Sequence, residues 1–150
     1  MRLRLALSVF TGLVLVGPSL RAGDTLLTML DPYFRIQSTL SDDKTDGVAA
    51  DAAAIATSAA TLGDAGKPIA LAAQELGAAA DLGAARVAFS KLSDAVVTYS
   101  ENTKTSAGDG VTAMYCPMAK KQWLQKGEKV SNPYYGKSML TCGEKKKKTT

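Results

Sequence analysis

Five sulfur-bearing side chains crowd into the last third of the chain: Met114, Cys116, Met118, Met139 and Cys142. Apart from Met1, only Met29 lies elsewhere. Thiolate and thioether are soft donors of the kind that select Cu(I). Met114, Cys116 and Met118 are spaced two apart, so an extended backbone would point all three to one face. Met139 and Cys142 are three apart and can share a turn. If the segment folds back on itself, four or five sulfurs converge in a candidate metal site, with Cu(I) as its candidate ion. Two other fates compete for the same cysteines. An exported protein with an even cysteine count commonly oxidises them, and a Cys116–Cys142 disulfide would contribute roughly 3–4 kcal/mol on the chain-entropy view. A redox-active thiol pair is the third, although no Cys-x-x-Cys spacing is present. Pro117 interrupts regular strand geometry and methionine is an ordinary core filler, so the spacing alone is not a specific metal motif.

Much other chemistry is excluded. The chain has no histidine, which removes Ser-His-Asp and Cys-His catalysis and the usual zinc and haem ligands. Asp42, Asp43, Asp51 and Asp94 form no recognisable pair of catalytic carboxylates, and solvated helix acids are their simpler reading. The chain is therefore read as a non-enzyme.

The N-terminus sets the compartment. Met1-Arg2-Leu3-Arg4 is basic, Leu5 to Gly17 is apolar or small, and Pro18-Ser19 precedes Ala22. That order reads as a signal peptide over residues 1–22, with an apolar core short of the about 20 residues a membrane span needs. The expected product, residues 23–150, is one periplasmic or secreted domain without a transmembrane segment. It divides into a bundle over about 26–103, a Cys/aromatic segment 114–144 and a basic tail 145–150. Charge follows the same division: residues 23–113 hold 6 bases against 12 acids, whereas nine lysines after Ala113 face only Glu128 and Glu144. Export and this balance argue against nucleic acid as a partner.

The elements that must position the sulfurs read as helices. Abundant alanine and few aromatics favour close-packed helices. The expectation is an all-α fold, an antiparallel four-helix bundle with an irregular, loop-rich C-terminal cap. The first helix opens at Asp31-Pro32, with Asp as N-cap and Pro at the first position. The second runs from about Asp46 to Leu62, carrying Val48, Ala52, Ile55 and Ala59, with Gly63 as its stop. The third begins at Lys67-Pro68 and carries Ile69, Ala72, Ala73, Leu76 and Ala80. The fourth follows Asp81, with Leu82, Ala85, Phe89, Leu92, Val96 and Tyr99 three and four apart. Asn102 to Gly110 should be a loop. Beyond Met114 the expectation is loops and short extended pieces, with at most a helical turn near Ala119 to Gln125. Trp123, Tyr134 and Tyr135 should pack on the bundle end, or form a surface for a partner.

Tyr115-Cys116-Pro117-Met118-Ala119, Trp123-Leu124, Asn132-Pro133-Tyr134-Tyr135-Gly136 and Met139-Leu140-Thr141-Cys142-Gly143-Glu144 together resemble the domain-of-unknown-function 3347 family. Asp31-Pro32-Tyr33 and Phe89-Ser90-Lys91-Leu92-Ser93 resemble it too. The resemblance spans nearly all of residues 23–150 and is specific in the C-terminal motifs. It implies an extracytoplasmic helical domain, found alone or fused to adaptor subunits of heavy-metal efflux pumps. It thus implies an accessory role in copper or heavy-metal handling, with a periplasmic or membrane efflux component as a separate partner. Carried over by position, Cys116, Met118, Met139 and Cys142 form the candidate site. The alternative is a non-metal interaction module, a disulfide-stapled bundle docking on a membrane complex through Trp123, Tyr134 and Tyr135.

Overall fold

The computed structural model describes residues 22–146. The expected leader lies outside these residues except for Ala22, as does the tail after Lys146. Four helices, α1 Ala22–Ser41, α2 Val48–Ala60, α3 Lys67–Gly77 and α4 Leu82–Thr103, precede three strands, β1 Val111–Cys116, β2 Lys121–Lys126 and β3 Glu144–Lys145. The strands form one antiparallel sheet in the order β2-β1-β3. The all-α expectation is therefore corrected: the fold is mixed, helices plus a small sheet.

Helices α2, α3 and α4 form where the apolar period places them. Val48, Ala52, Ile55 and Ala59 are the buried stripe of α2, and Ile69, Ala72, Ala73 and Leu76 that of α3. Helix α3 stops at Gly77, so Ala80 falls outside it. The Asp81 carboxylate caps α4 by accepting from the Ala84 N–H at 2.8 Å, satisfying one of the orphan donors of the first turn. Helix α1 differs from expectation. It runs through Asp31-Pro32 and begins nearly three turns earlier, at Ala22. A proline inside a helix costs about 3 kcal/mol. Leu26, Met29, Leu30 and Tyr33 bury one continuous stripe across it, and such burial contributes roughly 1.5–3 kcal/mol for each large side chain. The stripe outweighs the proline. Asp31 caps nothing; it lies exposed and meets Lys126 Nζ at 3.1 Å. No helix among the described residues is long and apolar enough to cross a membrane.

Consecutive helices pack on one another, and β2 packs against both α4 and α1. One hydroxyl fastens all three elements: Tyr33 of α1 is hydrogen-bonded to Ser93 of α4 and accepts the Leu124 N–H of β2 at 3.0 Å. The helical turn expected near Ala119 to Gln125 is instead β2, paired to β1 from Val111↔Lys126 to Cys116↔Lys121. Periodicity could not show this strand, because Trp123, Leu124 and Gln125 are all buried. Gln122 reaches Asp94 of α4 on one face. On the other face Trp123 and Gln125 are roofed by residues 127–143, whose Lys129 carbonyl and Ser131 N–H bond the Gln125 amide. A strand covered on both faces shows no two-residue alternation.

That roof is clamped to the helix ends. Arg86 of α4 donates to the Pro133 carbonyl at 2.9 Å and the Leu40 carbonyl at 3.0 Å, and it pairs with Asp43. Asp43 also accepts the Lys137 N–H at 3.2 Å. Gln37 of α1 donates to the Ser131 carbonyl at 2.6 Å. Gly136 sits on the ion pair with φ +54; a Cβ there would fall 1.9 Å from Asp43 Oδ1.

The Arg86 hydrogen bond, aided by the Lys137 amide, holds the Asp43 carboxyl below its ordinary value of 3.8. A depressed folded-state carboxyl stabilises the fold above its unfolded value, and that contribution is lost as pH falls through the folded value. Urea midpoints should therefore drop below about pH 4 more steeply in the parent than in Asp43→Asn, which has no such proton to take up. Parallel acid profiles would remove the clamp's role.

Candidate functional site: a thiol pair beneath the sheet edge

Strand pairing gathers the sulfurs selectively. Met114 and Cys116 point to one face of β1 and are buried, at 1% and 0% exposure. Trp123, directly opposite Met114, shares that face. The shared direction expected for Met114, Cys116 and Met118 holds for the first two only. The strand ends at Cys116, and Pro117 begins a four-residue turn closed by Lys120 in the left-handed region at φ 54. Met118 lies in that turn and is 64% exposed.

Cys142 arrives from the other side. A turn in which the Cys142 N–H donates to the Met139 carbonyl at 2.9 Å leads into β3, which pairs with β1 at Met114↔Lys145 and Tyr115↔Glu144. This brings Cys142 Sγ to 3.0 Å from Cys116 Sγ, both as free thiols. Cys116 is fully buried and Cys142 partly exposed. Met139 is half-buried at the start of the Cys142 turn.

The hydrogen bonds are lopsided. Burial alone would raise the Cys116 thiol. The Cys142 thiol, the Ala119 N–H at 3.4 Å, the Asn132 side chain and the Met118 N–H all favour its thiolate and together hold it below the ordinary thiol value. Cys142 is pushed up, first because its proton is engaged by Cys116 and then by burial. The pair thus titrates as a unit, releasing its first proton more readily than a lone thiol and its second less readily.

Asn132, fully buried, organises the surroundings. Its amide donates to the Cys142 carbonyl, and its oxygen accepts the N–H groups of Tyr134 at 2.8 Å and Tyr135 at 3.2 Å. Its own N–H donates to the Leu140 carbonyl at 2.8 Å. The aromatics are mostly internal. Trp123 meets Tyr134 edge-on with centroids 5.8 Å apart, and Tyr134 leads to Phe89 and Tyr33 in the helical core. The Tyr134 hydroxyl donates to the Gln122 carbonyl, and Tyr135 is half-buried. Trp123 is 0% exposed and offers no surface to a partner.

The sulfur donors here are of the soft kind. Two thiols in contact, one biased to thiolate, match the chemistry that selects Cu(I). Among the described residues no group of three or more cysteines and carboxylates that could hold a metal ion converges. The sequence names both cysteines but does not show that Asn132 bonds their surroundings, or that Gln125, Tyr33, Arg86 and Asp43 fasten β2 and the roof. The Asn132-Pro133 turn signal was the only local mark of Asn132. No family model, curated protein or solved structure matches this chain.

Proposed function

We propose that the chain is an exported accessory protein of copper or other soft-metal handling, with Cys116 and Cys142 as its metal-holding residues. The observation that supports this reading is the pair of free thiols 3.0 Å apart, fixed by β1 on one side and the β3 turn on the other. A bound Cu(I) would supply a soft Lewis-acidic centre for storage or transfer to an efflux component. The chain's own residues hold Cys116 toward thiolate and bury it from water. They also leave Cys142 and the exposed Met118 turn as the side of approach. Metal binding must displace thiol protons, and the lowered Cys116 value eases that displacement.

Anaerobic Cu(I) titration against a competing chelator tests this. Cys142→Ser should abolish tight one-to-one binding. The double change Met118→Leu/Met139→Leu should weaken it while leaving the urea midpoint nearly unchanged, since leucine conserves the volume. Full affinity in Cys142→Ser would overturn the site. The alternative of an interaction module docking through its aromatic face draws less support, because Trp123 is enclosed and the Tyr134 hydroxyl is committed to Gln122.

A further inference from the structure

We infer that Cys116 and Cys142 form a reversible dithiol–disulfide gate on the soft-metal site: the reduced pair accepts the ion, and the disulfide, formed within the same fold, excludes it. The inference rests on the metal reading above and adds a redox control to it.

Three features carry it. The first is proximity. The sulfurs stand 3.0 Å apart, and a disulfide bond is about 2.05 Å long, so closure needs a movement of only about 1 Å. The second is where that movement falls. Cys116 is the last residue of a strand paired along its whole length to β2. Cys142 belongs to a tight turn entering a two-residue strand, and the short element is the one that adjusts. The third is access. Cys116 is enclosed and Cys142 is partly open, so an incoming oxidant meets Cys142 alone.

The chemistry balances with a small disulfide as oxidant. Cys142, the accessible sulfur, gives up its proton as it attacks one sulfur of the external disulfide and releases the first external thiolate, giving a mixed disulfide at Cys142. Cys116 then attacks Cys142 Sγ and forms the internal bond. The second external thiolate leaves, and the two protons given up by the cysteines go to the two leaving groups. Two electrons pass from the cysteine pair to the external disulfide. In the product neither sulfur remains a thiolate donor. Linkage makes the relation reciprocal: an ion held by the thiols opposes their oxidation as strongly as oxidation opposes the ion.

The fold supplies an optical report. The single tryptophan, Trp123, lies against Gly143 beside Cys142, so closely that a Cβ on Gly143 would fall 2.6 Å from its ring. The test equilibrates the exported protein with mixtures of reduced and oxidised glutathione. Trp123 fluorescence, alkylated free thiols and intact mass are followed, and Cu(I) is then titrated anaerobically into the fully reduced and fully oxidised forms. The gate requires a reversible change of two thiols with native circular dichroism retained, Cu(I) binding by the reduced form, and loss of binding in the oxidised form. Cu(I) added beforehand should shift the oxidation midpoint toward more oxidising mixtures. Cys142→Ser should show none of these responses. Thiols that stay reduced in excess oxidised glutathione, or an oxidised form that binds Cu(I) as well as the reduced one, would overturn the gate while leaving the metal site standing. Reversible oxidation with no Cu(I) binding by the reduced form would overturn the metal site itself, and with it any gate upon it.

Discussion

Trp123→Ala is expected to cost about 3–5 kcal/mol, the range for removing a large buried aromatic. Domains of this size are stable by only about 5–15 kcal/mol, so the substitution takes a large share of the total. The ring is wholly enclosed, meets Tyr134 edge-on and lies against Gly143. Its Nε1 donates to Gln125 Oε1 at 3.1 Å. Deleting it opens a cavity between the sheet and its roof and removes one partner from a buried amide that also holds Lys129 and Ser131. The damage should appear first at the site. Cys142 alkylation in native buffer should quicken before the helices lose their circular dichroism, because α1 to α4 keep their own stripes. Trp123→Phe, which refills part of the cavity and cannot donate the hydrogen bond, should fall between. A urea midpoint for Trp123→Ala within error of the parent would mean that the roof carries little of the fold's stability.

The sequence was most legible where one face of a helix decides burial. The stripes of α2, α3 and α4 and the Asp81 cap follow from three- and four-residue spacing, because each helix presents one side to the core. Helix α1 is longer than the Asp31-Pro32 start signal implies, because apolar positions on both sides of the proline share one buried stripe. The sheet was hidden for a different reason. Strand β2 is covered on both faces, and β3 is two residues long, fixed by pairing with a strand far away in sequence. Neither leaves a local period to read. At the site, the sulfurs were visible as residue types, and the two-residue spacing of Met114 and Cys116 correctly gave a shared face. That Met118 turns outward depends on where the strand stops. That Cys142 meets Cys116 depends on the long-range pairing of β3 with β1. The Asn132-Pro133-Tyr134-Tyr135-Gly136 stretch, read as one mark of a resemblance, has a physical account in the fold. Asn132 caps the turn and Pro133 supplies a carbonyl to Arg86. Tyr134 joins the core, and Gly136 alone fits over the Asp43–Arg86 pair.

The second large effect is expected at Asn132, and it joins stability to the thiol chemistry. Asn132→Ala removes the hydrogen bonds to the Cys142 carbonyl and to the Tyr134 and Tyr135 amides, together with the side-chain hydrogen bond that favours the Cys116 thiolate. Each buried group left without a partner costs about 1–3 kcal/mol, so a loss of about 3 kcal/mol or more is expected by urea denaturation. Asn132→Asp separates the parts. A carboxylate still accepts from the two amides, but it has no proton for the Cys142 carbonyl and sets a negative charge beside a pair biased to thiolate. It should recover the turn and leave the thiols disturbed. The same substitutions bear on Cys116, whose thiolate the Asn132 side chain favours. Withdrawing a hydrogen bond that favours the charged form raises a thiol, and a nearby negative charge raises it further. The first proton of the pair should therefore leave at higher pH in both variants, and further up in Asn132→Asp, as followed by thiolate absorbance. A metal that must displace that proton then binds less tightly at fixed pH. Cu(I) affinity should fall in Asn132→Asp even where its stability approaches the parent's. A variant that keeps its fold, its thiol titration and its Cu(I) affinity would mean that Asn132 merely closes a turn, and that the thiol pair is set by the sheet alone.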